Sequence, residues 1–209
     1  MKWADNGGGD FEQPPAGTTV GRCIQIIDLG TQRGEYQGKA NVRRQNIIGW
    51  ELPNDLQSDG DYKGKPFRVS RFYTASLGKK ANLRRDLEQW RGREFTEQEL
   101  QGFDPQNILG KCCLLALTPN EKGKIKVTGV MALPKGMEVP GQVNPNLFFS
   151  LDAFDRKVFD SLSEGLRKII EVSPEYQSNM RHMLGGGNAA GGDEYSGRPL
   201  DDGDDDIPF

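Results

Sequence analysis

Glycine and lysine stand side by side in Ser76-Leu77-Gly78-Lys79-Lys80, as they do in a phosphate-cradling loop. The rest of such a loop is missing. Tyr73 occupies the place of its first glycine, and no Ser or Thr follows the lysines to hold a magnesium ion. Other reactive sets fail in the same way. One histidine, His182, argues against a Ser-His-Asp triad or a His-based metal site. Cys23, Cys112 and Cys113 show no Cys-x-x-Cys spacing, and two of them are adjacent, which does not suit an ordinary disulfide. Buried strand thiols are the expectation. Acids crowd into residues 184–209, where no scaffold fixes an acid–base pair. No catalytic residue, metal or cofactor is expected, and the chain is not read as an enzyme.

A different chemistry has its ingredients together. Binding of unpaired polynucleotide needs cations for phosphates and flat rings for bases. Arg43, Arg44 and Trp50 fall in one extended stretch; Lys65, Arg68, Arg71, Phe72 and Tyr73 fall in or beside the next; Lys79, Lys80, Arg84 and Arg85 follow. Residues 63–93 hold ten bases against two acids, although the whole chain carries a net charge of -3. These twelve side chains are the candidate nucleic-acid contacts. Two-residue alternation puts Phe67, Val69, Arg71 and Tyr73 on one face and Arg68, Ser70 and Phe72 on the other, without saying which is core. Trp50, at period two with Ile48 and Leu52, suits a core position better than a stacking one. Trp90 completes an apolar helix face and reads as packing.

These residues need elements to position them. Residues 1–17 read as a loose Gly- and Pro-rich arm. Residues 19–29 read as a strand closed by Gly30, 39–52 as a long second strand, and 67–73 as a third. Leu83, Leu87 and Trp90 lie at i, i+4 and i+7, one face of a helix that Gly92 stops. Thr96 and Glu99 make a capping box for a short second helix. Residues 111–117 are continuously apolar and read as a strand buried on both faces, followed by an alternating strand over 124–131. Three strands, a helical insertion and two strands is the order of an OB-fold, a five-stranded Greek-key barrel, so the chain is read as mainly β with that barrel over 18–135. An SH3-like barrel or an open sheet with a crossing helix shares the order. Residues 136–183 read as a linker and helical extension: Phe154, Val158 and Leu162 form one stripe, Leu166, Ile169 and Ile170 the next, ended by Ser173-Pro174. Such stripes pack on a core; self-association into a homo-oligomer is the alternative.

Residues 184–209 are Gly-rich and acidic, with seven acids and one base, and are expected to be disordered. The end is unusual: Asp204, Asp205 and Asp206 precede Ile207, Pro208 and Phe209. Aspartates keep a tail extended and solvated; three apolar residues at its tip make sense when a partner supplies a pocket. No apolar run approaches the ~20 residues of a membrane span, and the first ten residues lack the apolar core of a secretory signal. A cytoplasmic chain without membrane contact is expected.

The hexapeptide Asp204-Asp205-Asp206-Ile207-Pro208-Phe209 after the Gly-rich stretch 185–192 resembles the tip of bacterial single-stranded DNA-binding proteins. That resemblance implies an OB-fold followed by a linker and an acidic tip that docks on replication, recombination or repair enzymes. The insertion NLRRDLEQWRGREFTEQEL is not typical of that family. The body is similar instead to single-stranded DNA-binding proteins of tailed bacteriophages, through Leu83-x3-Leu87-x2-Trp90-x-Gly92-x2-Phe95-Thr96, then Leu109-Gly110-Lys111, then Ser173-Pro174-Glu175-Tyr176. The expectation is a non-catalytic single-stranded DNA-binding protein of a bacterial or phage-infected cell, recruiting partners through its tip. The rivals are a replication adaptor without DNA contact and an accessory subunit of a nuclease.

Overall fold

The computed structural model describes residues 12–36 and 39–183, leaving aside the side chains of Glu35, Tyr36 and Lys39. Its centre is a pair of long antiparallel strands, β1 (Gly17–Tyr36) and β2 (Lys39–Leu56). With β3 (Pro66–Thr74), β4 (Cys112–Pro119) and β5 (Ile125–Met131) they make a five-stranded antiparallel sheet in the order β3-β2-β1-β4-β5. A short strand, β6 (Leu147–Phe149), lies parallel to β1. Helices α1 (Asn82–Arg91) and α2 (Glu97–Gln101) fall between β3 and β4; α3 (Arg156–Ser161), α4 (Glu164–Glu171) and α5 (Pro174–Met183) follow β6. The architecture is therefore mixed, a five-stranded sheet with helices, rather than mainly β. The outer strands β3 and β5 approach each other and both touch α1. They share no ladder among the described residues, so hydrogen bonding does not close the sheet into a barrel.

β1 is buried along almost its whole middle because it serves two cores. Cys23 and Ile26 join Trp50, Phe67, Leu87 and Trp90 in the first cluster. Ile27 and Leu29 join Ile47, Phe149, Phe159 and Ile170 in the second. Register shifts between Cys23 and Gln25 and between Asp28 and Gly30 mark bulges, which bend and twist a strand. Gly30 does not close β1, as its residue type led one to expect. It sits at the second bulge with φ +72°, and pairing continues to Tyr36. A Cβ at Gly30 would lie 2.5 Å from the Ser173 side chain, so the junction of α4 and α5 packs directly on this glycine.

The apolar stripes of α3 and α4 join the second core, α3 against β6 and α4 against β1. The bond set is dense: Gln32 Nε2 donates to the Ile169 carbonyl at 3.0 Å, Thr31 N to Glu175 at 2.9 Å, and Asn179 Nδ2 to the Leu151 carbonyl at 2.8 Å. Pro174, expected only as a stop, also opens α5, since proline at a first helical position lacks an N–H that would be unpaired there anyway. The Ser173 Oγ caps that turn by accepting from Tyr176 N. β4 is not buried on both faces: Cys113, Leu115 and Leu117 are core, while Cys112, Leu114 and Ala116 are half-buried.

Candidate nucleic-acid interface

The sheet decides which face of β3 looks outward. Phe67, Val69 and Tyr73 point into the first core, at 7% exposure or less. Arg68 lies on the opposite face and is exposed. This removes two candidate stacking rings. Trp50 is 1% exposed, its ring centroid 6.2 Å from that of Trp90. Tyr73 is 4% exposed and donates its hydroxyl to Asp86 Oδ2 at 2.9 Å. Burial, then the charge of Asp86, pushes that phenol well above its ordinary value. Neither ring is available to a base; both were drawn inward because β-strand aromatics fill the core that α1 covers. Phe72 is half-buried against the second core and presents only part of a ring.

The basic window is also less naked than its composition. Asp86, 2% exposed on α1, accepts from Arg71 at 2.9 Å and from Arg85 at 3.1 Å. Arg71 is thereby withdrawn from the candidate set: it is half-buried, and its guanidinium carbon lies 5.3 Å from the Tyr73 centroid. Arg84 is half-buried and pairs with Glu88 at 2.8 Å. Arg91 and Arg93 both reach Glu99, which lies beyond the window. Arg93, then the Thr96 amide of the capping box, hold the Glu99 carboxyl at about 2. Arg44, outside the window, is bound by Asp28 and, at 2.9 Å, by Asp152. The Asp28 carboxylate raises its pKa, and the pair, with Leu151 N also donating to Asp28, fastens the C-terminal segment to the sheet. Arg44 and Arg84 thus have structural partners, and Arg85 is exposed but shared with Asp86.

Arg71, Arg84, Arg85, Arg91 and Arg93 of the window pair with acids; Lys63, Lys65, Arg68, Lys79 and Lys80 are exposed. Lys63 and Lys65 stand in the loop before β3, Arg68 on β3, and Lys79 and Lys80 in the turn between β3 and α1. Arg68 donates to Oε1 of the buried Gln25 at 3.0 Å, which ties its guanidinium to β1. Arg43 is exposed on the part of β2 that runs past the end of β3, opposite Gln32 of β1. Beside this surface, the segment before β6 is held to β2 by a buried carboxylate: Glu51, fully buried, accepts from Asn144 N at 2.8 Å and Val143 N at 3.2 Å, with Arg22 at 3.6 Å.

Two further features lie outside the candidate set. Tyr62 is exposed in the loop between β2 and β3, with Lys65 Nζ 5.3 Å from its ring centroid. A search for aromatics alternating along strands does not look in a polar loop; the local run Tyr62-Lys63-Gly64-Lys65 was the available signal. The β4–β5 turn carries Lys122 and Lys124, and Lys126 follows at the start of β5. The N-terminal segment links the two loops: Glu12 accepts from Ser58 N at 2.8 Å, and Gln13 Oε1 from Ile125 N at 3.3 Å.

Among the described residues no group of three or more His, Cys, Asp or Glu is placed to hold a metal ion, and no helix is long and apolar enough to cross a membrane. The tip residues Asp204, Asp205, Asp206, Ile207, Pro208 and Phe209 lie outside the described residues, as do residues 1–11. No protein-family model matches the chain, and no curated protein matches it.

Proposed function

We propose that this chain binds single-stranded DNA without catalysis, in replication, recombination or repair, and recruits partner enzymes through its C-terminal tip. One observation carries the reading: Lys63, Lys65, Lys79 and Lys80 are exposed on the loops at the two ends of β3, and Arg68 is exposed on the strand between them. An extended cationic strip of this kind suits a flexible phosphate chain. The strand order supports it. β1 pairs with β2 and β4, the helical insertion separates β3 from β4, and the outer strands meet at α1, which is the order of an OB-fold; we read the sheet as a barrel of that type, left unladdered between β3 and β5. The tip resembles a docking peptide of bacterial single-stranded DNA-binding proteins, and its aspartates are complementary to the same strip, so the tail masks the strip when DNA is absent.

The test is fluorescence anisotropy of labelled oligo-dT against duplex of equal length. Trp50 and Trp90 are buried, so a label on the DNA reports more directly than intrinsic fluorescence. Tighter binding to the single strand, weakening as salt rises, is the expected result. Absence of salt-sensitive binding in dilute buffer, with or without residues 184–209, would leave the tip to an adaptor that makes no DNA contact.

A further inference from the structure

We infer that Tyr62 is the platform on which an unpaired nucleobase stacks, with Lys63, Lys65 and Arg68 taking the flanking phosphates. The inference rests on the single-stranded DNA-binding reading and names a contact within it. Among the residues whose side chains are described, Tyr62 is the one exposed Phe, Tyr or Trp, at 53% exposure; the imidazole of His182 is exposed too, but on α5, away from the cations beside β3. Its ring belongs to neither hydrophobic cluster, so packing does not account for its presence. Among the described residues, the strand aromatics are buried or half-buried against the two cores, and Tyr62 is the Phe, Tyr or Trp ring left exposed to a base.

The backbone of the loop that carries the ring is tied by hydrogen bonds. Gly64 N donates to the Gln57 carbonyl at 2.8 Å and Gln57 N to the Lys65 carbonyl at 2.9 Å, closing the loop at its neck. Asp59 caps the short 3-10 turn Gly60–Tyr62, and Lys65 N donates to the Tyr62 carbonyl at 2.9 Å. Gly60 supplies the φ of +70° that the turn needs. Glu12 fastens the loop from outside through Ser58 N and Oγ, both at 2.8 Å. A loop backbone already ordered loses little freedom when its side chain takes a ligand. Lys65 lies over the ring, and a phosphate drawn to that ammonium brings its own base alongside.

The test measures anisotropy with the full chain on two probes, labelled oligo-dT and an abasic oligodeoxyribose phosphate of equal length. Wild type is expected to prefer oligo-dT. Tyr62→Ala is expected to weaken oligo-dT binding by about five- to a hundredfold and to leave the abasic probe unchanged, while Tyr62→Phe and Tyr62→Trp keep the preference. Tyr62→Ala binding oligo-dT as wild type does overturns the stack and leaves the DNA-binding reading standing. An equal loss on both probes also overturns it, since the ring would then act through the loop's shape. A wild type that binds neither probe overturns both the stack and the reading beneath it.

Discussion

Asp86 accepts from Arg71, Tyr73 and Arg85 while almost fully buried. Its carboxylate joins α1 to β3 and absorbs two of the positive charges that sequence counting assigns to the surface. Asp86→Ala leaves the Arg71 guanidinium half-buried with no acid partner and the Tyr73 hydroxyl without its acceptor. A loss of about 3–5 kcal/mol is expected, as for other buried pairs broken on one side, read as a lower urea midpoint at unchanged slope. Residue identity alone announced some of this scale. Leu83, Leu87 and Trp90 were legible as one face and are buried together. The partner of Arg71 was not legible, because Asp86 lies fifteen residues away on a different element. Tyr73 was misplaced as a contact for the same reason, while Trp50 went to the core position its spacing favoured over stacking: an aromatic on a strand serves core or ligand, and distant packing decides.

Elements were read well where their signals are local. Gly92 ends α1 in the left-handed conformation, at φ +65°, and Thr96 and Glu99 form the capping box of α2. Gly30 was misread because the same residue type serves a strand end and a bulge. Here it admits the α4–α5 junction, so Gly30→Ala meets both a disfavoured φ and the Ser173 side chain. The expected result is destabilisation of about 1–3 kcal/mol, with amide exchange accelerating first in α4 and α5. Uniform acceleration through α1 and β4 as well would show instead that the second core does not loosen separately. β1 and β2 line both cores, so residues 136–183 share their foundation with the sheet rather than standing beside it.

At the scale of the molecule, a net charge of -3 conceals a cationic strip and an acidic tail. Two outcomes follow from the proposed binding mode. Replacing Lys79 and Lys80 together by alanine is expected to weaken oligo-dT binding and to make the slope of log affinity against log salt shallower by about 1.4, two phosphate contacts on a single strand. An unchanged slope would take that turn out of the interface. Cutting the chain after Leu184 is expected to tighten oligo-dT binding, most at low salt, where attraction between tail and strip is least screened; equal affinity at every salt would end the masking idea. By itself the sequence determined the helices of the insertion, the run of strands around them and the excess of cations near β3, because periodicity, caps and composition act within a few residues. Only the tertiary structure decided which face of β3 is outward, which arginines meet an acid and that, among the described residues, the Tyr62 ring is left in water. Those outcomes depend on contacts between residues far apart in the chain, such as Arg44 with Asp152, 108 positions away, and no local pattern encodes them.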